Sequence, residues 1–313
     1  MTAKFVVTDE QERVFHKRRR EIENRLFKNI LNPENVNNGL QLLIEGHKIV
    51  IDPSEDLDNW LQSILNREHQ CHLNFFGRNF NLSEFKKTLK KYGQKKIEEW
   101  QKLGLKPHFL PDIILSQDND LPRWKVKPEN WYYQQAGKDK ILHSINGKVK
   151  VDKQPYELEG ITVLIETRLK PAFDNGKQMY EYDCLLGSVI MRLRKDEKIA
   201  KYEHGLQSSR FGVSADEWEI QIKQALAKEL GFEASQIRLE RAIEANIFPQ
   251  LYSYMPRRDD GNTNTWVWYE EFFGDRGDRL LGGHSGYGGL AHIGYYGSDD
   301  RWYDGSFRPL AVL

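Results

Sequence analysis

Cysteine is nearly absent. The two present, Cys71 and Cys184, are too few and too far apart for a disulfide framework or a zinc site, so both are expected as small buried hydrophobes. No apolar run approaches the length needed to span a bilayer, so no membrane insertion is expected. The opening MTAKFVVTDEQERVFHKRRR lacks the charged-then-apolar order of a secretory signal, and synthesis in the cytoplasm is expected. Net charge is missing too: 46 Lys+Arg balance 46 Asp+Glu, so no whole-chain field favours nucleic acid or a membrane surface. The most informative absence is local. Lys and Glu, common elsewhere, do not occur after Glu271.

What replaces them is a particular set of residues. Between Gly282 and Ser306 there are eight Gly, four Tyr, three Ser, three Asp, two His and one Trp. Tyr and Trp give large contact area at low side-chain entropy cost, while Ser, Asp and His add adaptable hydrogen bonds, as in binding paratopes. Plain glycine-rich turns would explain the Gly but not this concentration of contact residues. Gly288-Gly289-Leu290-Ala291, Ile293, Ser298, Arg301 and Phe307-Arg308-Pro309-Leu310 read as packing and turn geometry. His284, Tyr287, His292, Gly294, Tyr295, Tyr296, Asp299, Asp300, Trp302, Tyr303, Asp304 and Ser306 read as displayed ligand-binding positions.

The rest of the chain reads as α+β. Thr8 with Gln11 forms a capping box opening a helix with Phe15, Ile22, Leu26 and Ile30 on one face. A short strand is expected at Ile49-Val50-Ile51, then helices at about 54–67 and from Ser83, the latter resuming after Gly93. Pro107, Pro111, Pro122 and Pro128 recur without helical period, which places a domain boundary near residue 105. The mostly helical region 1–105 is thus expected to precede a domain over 106–313. Within that domain Ile161, Val163 and Ile165 alternate as a strand, and a helix is expected over about 183–194. Ser214 and Glu217 cap another helix that stops at Gly231, and a final strand covers 307–313.

Several passages carry a family resemblance: WKVKPENWYYQQ at 124–135, SSRFGVSADEWE at 208–219, RLERAIEANIF at 238–248, NTWVWYEEFF at 264–273, and the framework from Gly288 to Leu313. They resemble C-type-lectin-fold proteins whose C-terminal ends are varied by diversity-generating retroelements, the archaeal and viral members in particular. Residues 238–248 also resemble the arginine-leucine…glutamate segment of formylglycine-generating-enzyme-type lectin folds. The likeness covers roughly 120–313. It implies a C-type lectin-like fold with a variable segment at about 282–306, diversified by adenine mutagenesis of the gene's 3′ end. From AAC codons, changing only adenines yields Tyr, Ser, His, Asp and Gly but never Lys or Glu, and that is the bias seen here.

The resemblance implies receptor or ligand recognition, not catalysis. The partner expected is a variable ligand, protein or glycan, on a cell surface; the protein's own place, virion or cell surface, is left open. Glu-Pro-Asn and Trp-Asn-Asp calcium signatures are missing, so calcium-dependent sugar binding is not expected, and neither are a cofactor, a metal or nucleic acid. The cysteines lie outside the terminal window, against the oxidase branch of the fold. Two alternatives stand beside this reading. Asp299, Asp300 and Asp304 could serve glycoside processing, which needs two carboxylates flanking the bond. The N-terminal Lys/Arg clusters could bind nucleic acid, although Lys86, Lys87, Lys90, Lys91, Lys95 and Lys96 read more simply as a solvated helix face opposite Phe85, Leu89 and Tyr92. Trp266 and Trp268 are expected to share one core-facing side of a strand, and Glu166 and Arg168 to be exposed.

Overall fold

The computed structural model describes residues 9–27, 33, 36, 37, 40, 41, 53–145, 148–166, 183–252, 265–274 and 277–313. Thr8, Ile30, the expected strand at 49–51 and Arg168 lie outside the described residues. The chain divides into two compact units, residues 1–58 and 59–313, where the sequence placed a boundary near 105. In the first unit, α1 (Asp9–Phe27) carries i,i+4 pairs Arg19–Glu23 and Arg25–Glu21 at 2.9 and 2.7 Å.

Two long helices lead into the second unit, α2 (Pro53–Phe76) and α3 (Ser83–Lys102). α3 kinks at Gly93, whose φ of 77° only glycine adopts without strain. Phe85, Leu89, Ile97 and Trp100 form its buried face, and its lysines lie on the exposed one, Lys87 pairing with Glu84 and Lys96 with Glu99. Leu89 and Trp100 share a core cluster with Leu164, Trp218, Trp268 and Phe307, so these helices and the sheets bury one continuous apolar interior.

The strands follow in chain order: β1 (Leu105–Ile114), β2 (Ile141–Ile145), β3 (Lys148–Val151), β4 (Glu157–Glu166), β5 (Ile237–Leu239), β6 (Trp266–Phe273), β7 (Asp278–Gly282), β8 (Ile293–Tyr296), β9 (Gly305–Phe307) and β10 (Pro309–Val312). Four make an antiparallel sheet in the order β1-β4-β10-β5. Pro107 and Pro111, read from sequence as connecting segment, belong to β1. That strand lies at the sheet edge, where a residue without an N–H is tolerated. The second sheet runs β3-β2-β6-β7-β8, with β9 added parallel to β6.

Helices fill the connections: α4 (Asn130–Ala136), α5 (Gly187–Lys195), a helical run over 215–230 (α6), and α7 (Ala242–Leu251). α6 starts with the expected capping box: Glu217 N donates to Ser214 Oγ at 3.2 Å, and Ser214 N to Glu217 Oε2 at 3.0 Å. It includes a π segment, Trp218–Ile222, and ends at Gly231 with φ 76°. The fold is therefore α+β, with helices flanking antiparallel sheets. Among the described residues no helix is long and apolar enough to cross a membrane.

Two expectations are corrected. Glu166 is buried, because Arg210 donates to both its oxygens at 2.9 and 3.1 Å and also pairs with Asp183. Cys184 is exposed and Cys71 half-buried, since Cys184 lies in the irregular stretch just ahead of α5 rather than on an inward helix face.

Candidate recognition surface

The terminal window is held by its main chain. β8 pairs with β7 over Gly282↔Ile293 to Arg279↔Tyr296. The preceding 3-10 turns, Ser285–Tyr287 and Gly289–Ala291, are fastened from outside the window. Asn246 Nδ2 of α7 donates to Leu290 O at 2.7 Å, and Glu129 N donates to Ala291 O at 2.9 Å. Glu129 Oε1 also accepts from Ile293 N at 3.0 Å. Beyond β8, Asp216 N donates to Ser298 O, Gly212 N to Trp302 O and Gly305 O, and Trp266 N to Asp304 O. Arg301 closes the loop with a bidentate grip on Glu217, at 3.1 and 3.1 Å, so the capping box of α6 also anchors the window.

On this frame Trp266, 8% exposed, is the centre of an aromatic group. Its ring lies 4.9 Å from Tyr287, 5.2 Å from His284, 5.6 Å from Trp302 and 5.7 Å from His292. Tyr296 packs edge-on against Trp302 at 4.4 Å. The pleat separates the two adjacent tyrosines of β8. Tyr296 follows His292 and Gly294 onto the Trp266 side, while Tyr295 follows Ile293 to the opposite face. There Tyr295 stacks on Phe273 at 4.2 Å and Trp131 at 5.9 Å. Tyr303 stands apart again, 5.8 Å from His204.

Each of the two window histidines lies beside a carboxylate. His284 Nδ1 accepts from Gly286 N at 3.0 Å, which leaves the proton on Nε2, 3.7 Å from Asp304 Oδ2. Partial burial pushes the His284 imidazole below its ordinary value, against the pull of Asp304. His292 Nδ1 lies 3.1 Å from Glu129 Oε1. Among the described residues no group of three or more His, Cys, Asp and Glu is placed to hold a metal ion.

The expected display positions therefore divide. Tyr287, at 63% exposure, with Tyr295, Tyr296, Asp299, Asp300 and Tyr303, faces solvent; His284, His292, Gly294 and Trp302 are half-buried. Asp304 and Ser306 are buried, a correction to their expected display: β9 runs beside β6, with Trp266 opposite Gly305 and Val267 opposite Ser306. The three aspartates do not converge. Asp299 and Asp300 lean over Gly297 on one exposed turn, whereas Asp304 turns inward to His284. Ser298 and Arg308 occupy frame positions as expected, Arg308 being buried against Glu240 at 3.0 Å.

Sequence reasoning placed Trp266 and Trp268 in the core, and both are buried. It missed that Trp266 also floors the exposed aromatic group. It also missed Glu129, Trp131 and Phe273, which reach the window from other elements. The signal available was the alternation of TWVWYE, which sets Trp266 on the face opposite Val267. Compared with known proteins, the chain matches no family model, no curated protein and no solved structure.

Proposed function

We propose that this protein recognises a ligand without transforming it, through a C-terminal surface diversified by a retroelement on a C-type-lectin-like fold. One observation carries the reading: exposed Tyr and Asp side chains project from a loop backbone whose main chain is bonded to fixed, distant residues. Substitution at such positions changes the contact surface while leaving the frame in place. Tyr287, Tyr296 and the half-buried Trp302 are the aromatic anchors around Trp266, and Asp299, Asp300 and His292 supply polar specificity. Tyr295 and Tyr303 offer separate contacts on neighbouring faces. The lectin-like assignment draws support from the chain order, in which two helical elements, α5 and α6, follow β4 and precede β6 of the loop-bearing sheet. The last strand, β10, returns to pair with β4.

The test is sequencing of the gene's 3′ end and its neighbouring locus across the source population. The reading expects differences concentrated at codons 284–306, at adenines of a nearby near-repeat beside a reverse transcriptase, with Gly282 and Arg308 constant. Invariant codons across 284–306, with ordinary drift elsewhere, would reject diversification and make the surface a fixed site.

A further inference from the structure

We propose that a cavity of about 440 Å³ beside the terminal window is an oxyanion site, taking a phosphate or sulfate group between Arg194, Lys198, Lys201 and Arg301. Burying a guanidinium without a counter-charge is costly, and proteins normally pair it. Arg194, Arg210, Arg279 and Arg308 are all fully buried. Three of them face carboxylates: Arg210 pairs with Glu166 and Asp183, Arg308 with Glu240, and Arg279 with Glu219. Among the described residues Arg194 has no ion pair. It donates instead to the carbonyls of Ala200, Gln207, Ser209 and Phe211 at 3.0, 2.8, 2.9 and 2.7 Å. Those bonds fix the orientation of the group but supply no formal negative charge. Burial pushes the Arg194 pKa down to about 10, with the charge of Glu217 opposing the shift.

The cavity wall adds positive charge to this buried guanidinium. Lys198 and Lys201 line it from exposed positions, and among the described residues neither forms an ion pair. Among the described residues the acids on the wall are Glu197 and Glu217. Glu217 is already engaged, accepting from Ala200 N at 2.6 Å, from Ser214 N at 3.0 Å and from Arg301. Glu197 is exposed. Four cations against two acids around one concavity focus a positive field, and the two mobile ammonium groups of Lys198 and Lys201 can close on a tetrahedral anion. Arg301 lies between Asp300 and Trp302, so the site adjoins the recognition surface. None of its four cationic side chains belongs to the set expected to vary, and the inference stands apart from diversification.

Calorimetric titration of the full chain with sodium phosphate and sodium sulfate, against sodium chloride at matched ionic strength, tests this. Wild type should bind both oxyanions saturably, and less tightly as salt rises. The Lys198→Ala/Lys201→Ala variant changes only exposed side chains, so its circular dichroism should match wild type while its affinity falls about tenfold or more. A sulfated hexose distinguishes the source. Tighter binding than inorganic sulfate points to an ester on a glycan, and equal or weaker binding points to the free ion. No saturable heat beyond chloride, or a double variant that binds as tightly as wild type, overturns the assignment.

Discussion

Gly282→Ala tests whether the backbone under the candidate recognition surface is as constrained as its hydrogen bonds imply. Gly282 ends β7 opposite Ile293 of β8. A Cβ added there would lie 2.2 Å from the His292 carbonyl oxygen and 2.7 Å from the Tyr269 hydroxyl. A close carbon–oxygen contact is normally about 3.3 Å, so β8 would have to move by about 1 Å. The obstructing atom is main chain and cannot rotate away as a side-chain tip could. Overpacking typically costs 1–3 kcal/mol, and a backbone obstacle puts this substitution at the upper end, about 3 kcal/mol. In a chain of this size that corresponds to a fall in Tm of roughly 5 °C. Urea unfolding followed by circular dichroism should show an earlier midpoint with an unchanged slope. A loss below about 0.5 kcal/mol would refute the reasoning, because β8 would then be free to shift and the displayed residues would lack a fixed base.

Three further outcomes follow from the same contacts. Tyr287→Ala, at a largely exposed position, should change stability by about 0.5 kcal/mol or less, whereas Trp266→Ala should cost about 3–5 kcal/mol by emptying the floor of the aromatic group; paired urea curves separate them. Arg308→Met removes the guanidinium facing buried Glu240 and should cost about 3–5 kcal/mol by the same measurement, part of it recovered when Glu240→Gln is added. Burial pushes His108 down from 6.5 to about 4, against the pull of Glu68, so the unfolded chain takes up this proton first. Stability should therefore be full above about pH 6.5 and fall by about 3 kcal/mol as pH drops to about 4; unfolding curves of His108→Gln should be flatter across that window.

What could be read from sequence was mostly local. The Ser214–Glu217 capping box, the Gly231 stop and the break at Gly93 each depend on a few neighbouring residues, and each is present. The π segment inside α6 leaves no such mark in the spacing of Trp218 and Ile222. The errors came from partners distant in the chain. Glu166 is buried because Arg210 lies 44 residues away in sequence, and no local pattern reveals that pairing. Asp304 and Ser306 have the composition of displayed residues, yet the parallel pairing of β9 with β6 encloses them. Tyr295 and Tyr296 both read as displayed and both are exposed, but the pleat puts them on opposite faces, a division that their adjacency in sequence does not mark.

The division between frame and face follows from which atoms carry the fastening. From 284 to 305 most of the bonds that fix the loops are made by main-chain groups. Their partners lie outside the window, at Asn246, Glu129, Asp216 and Gly212. A main-chain bond survives any side-chain change that the local φ/ψ permits, so exposed positions such as Tyr287, Tyr296 and Asp299 are thermodynamically free to vary. Side chains do the fastening at Arg301, which grips Glu217, and in the buried pair of Arg308 with Glu240; the glycine at 282 is required by space. Tolerance along β8 should accordingly be lowest at Ile293, fixed in a buried cluster, and higher at Tyr295 and Tyr296, which are exposed on the strand's two faces. Intolerance confined to Ile293 would identify a strand held by its one buried residue, whereas a loop selected only for flexibility would accept substitution at Ile293 as readily as at Tyr296.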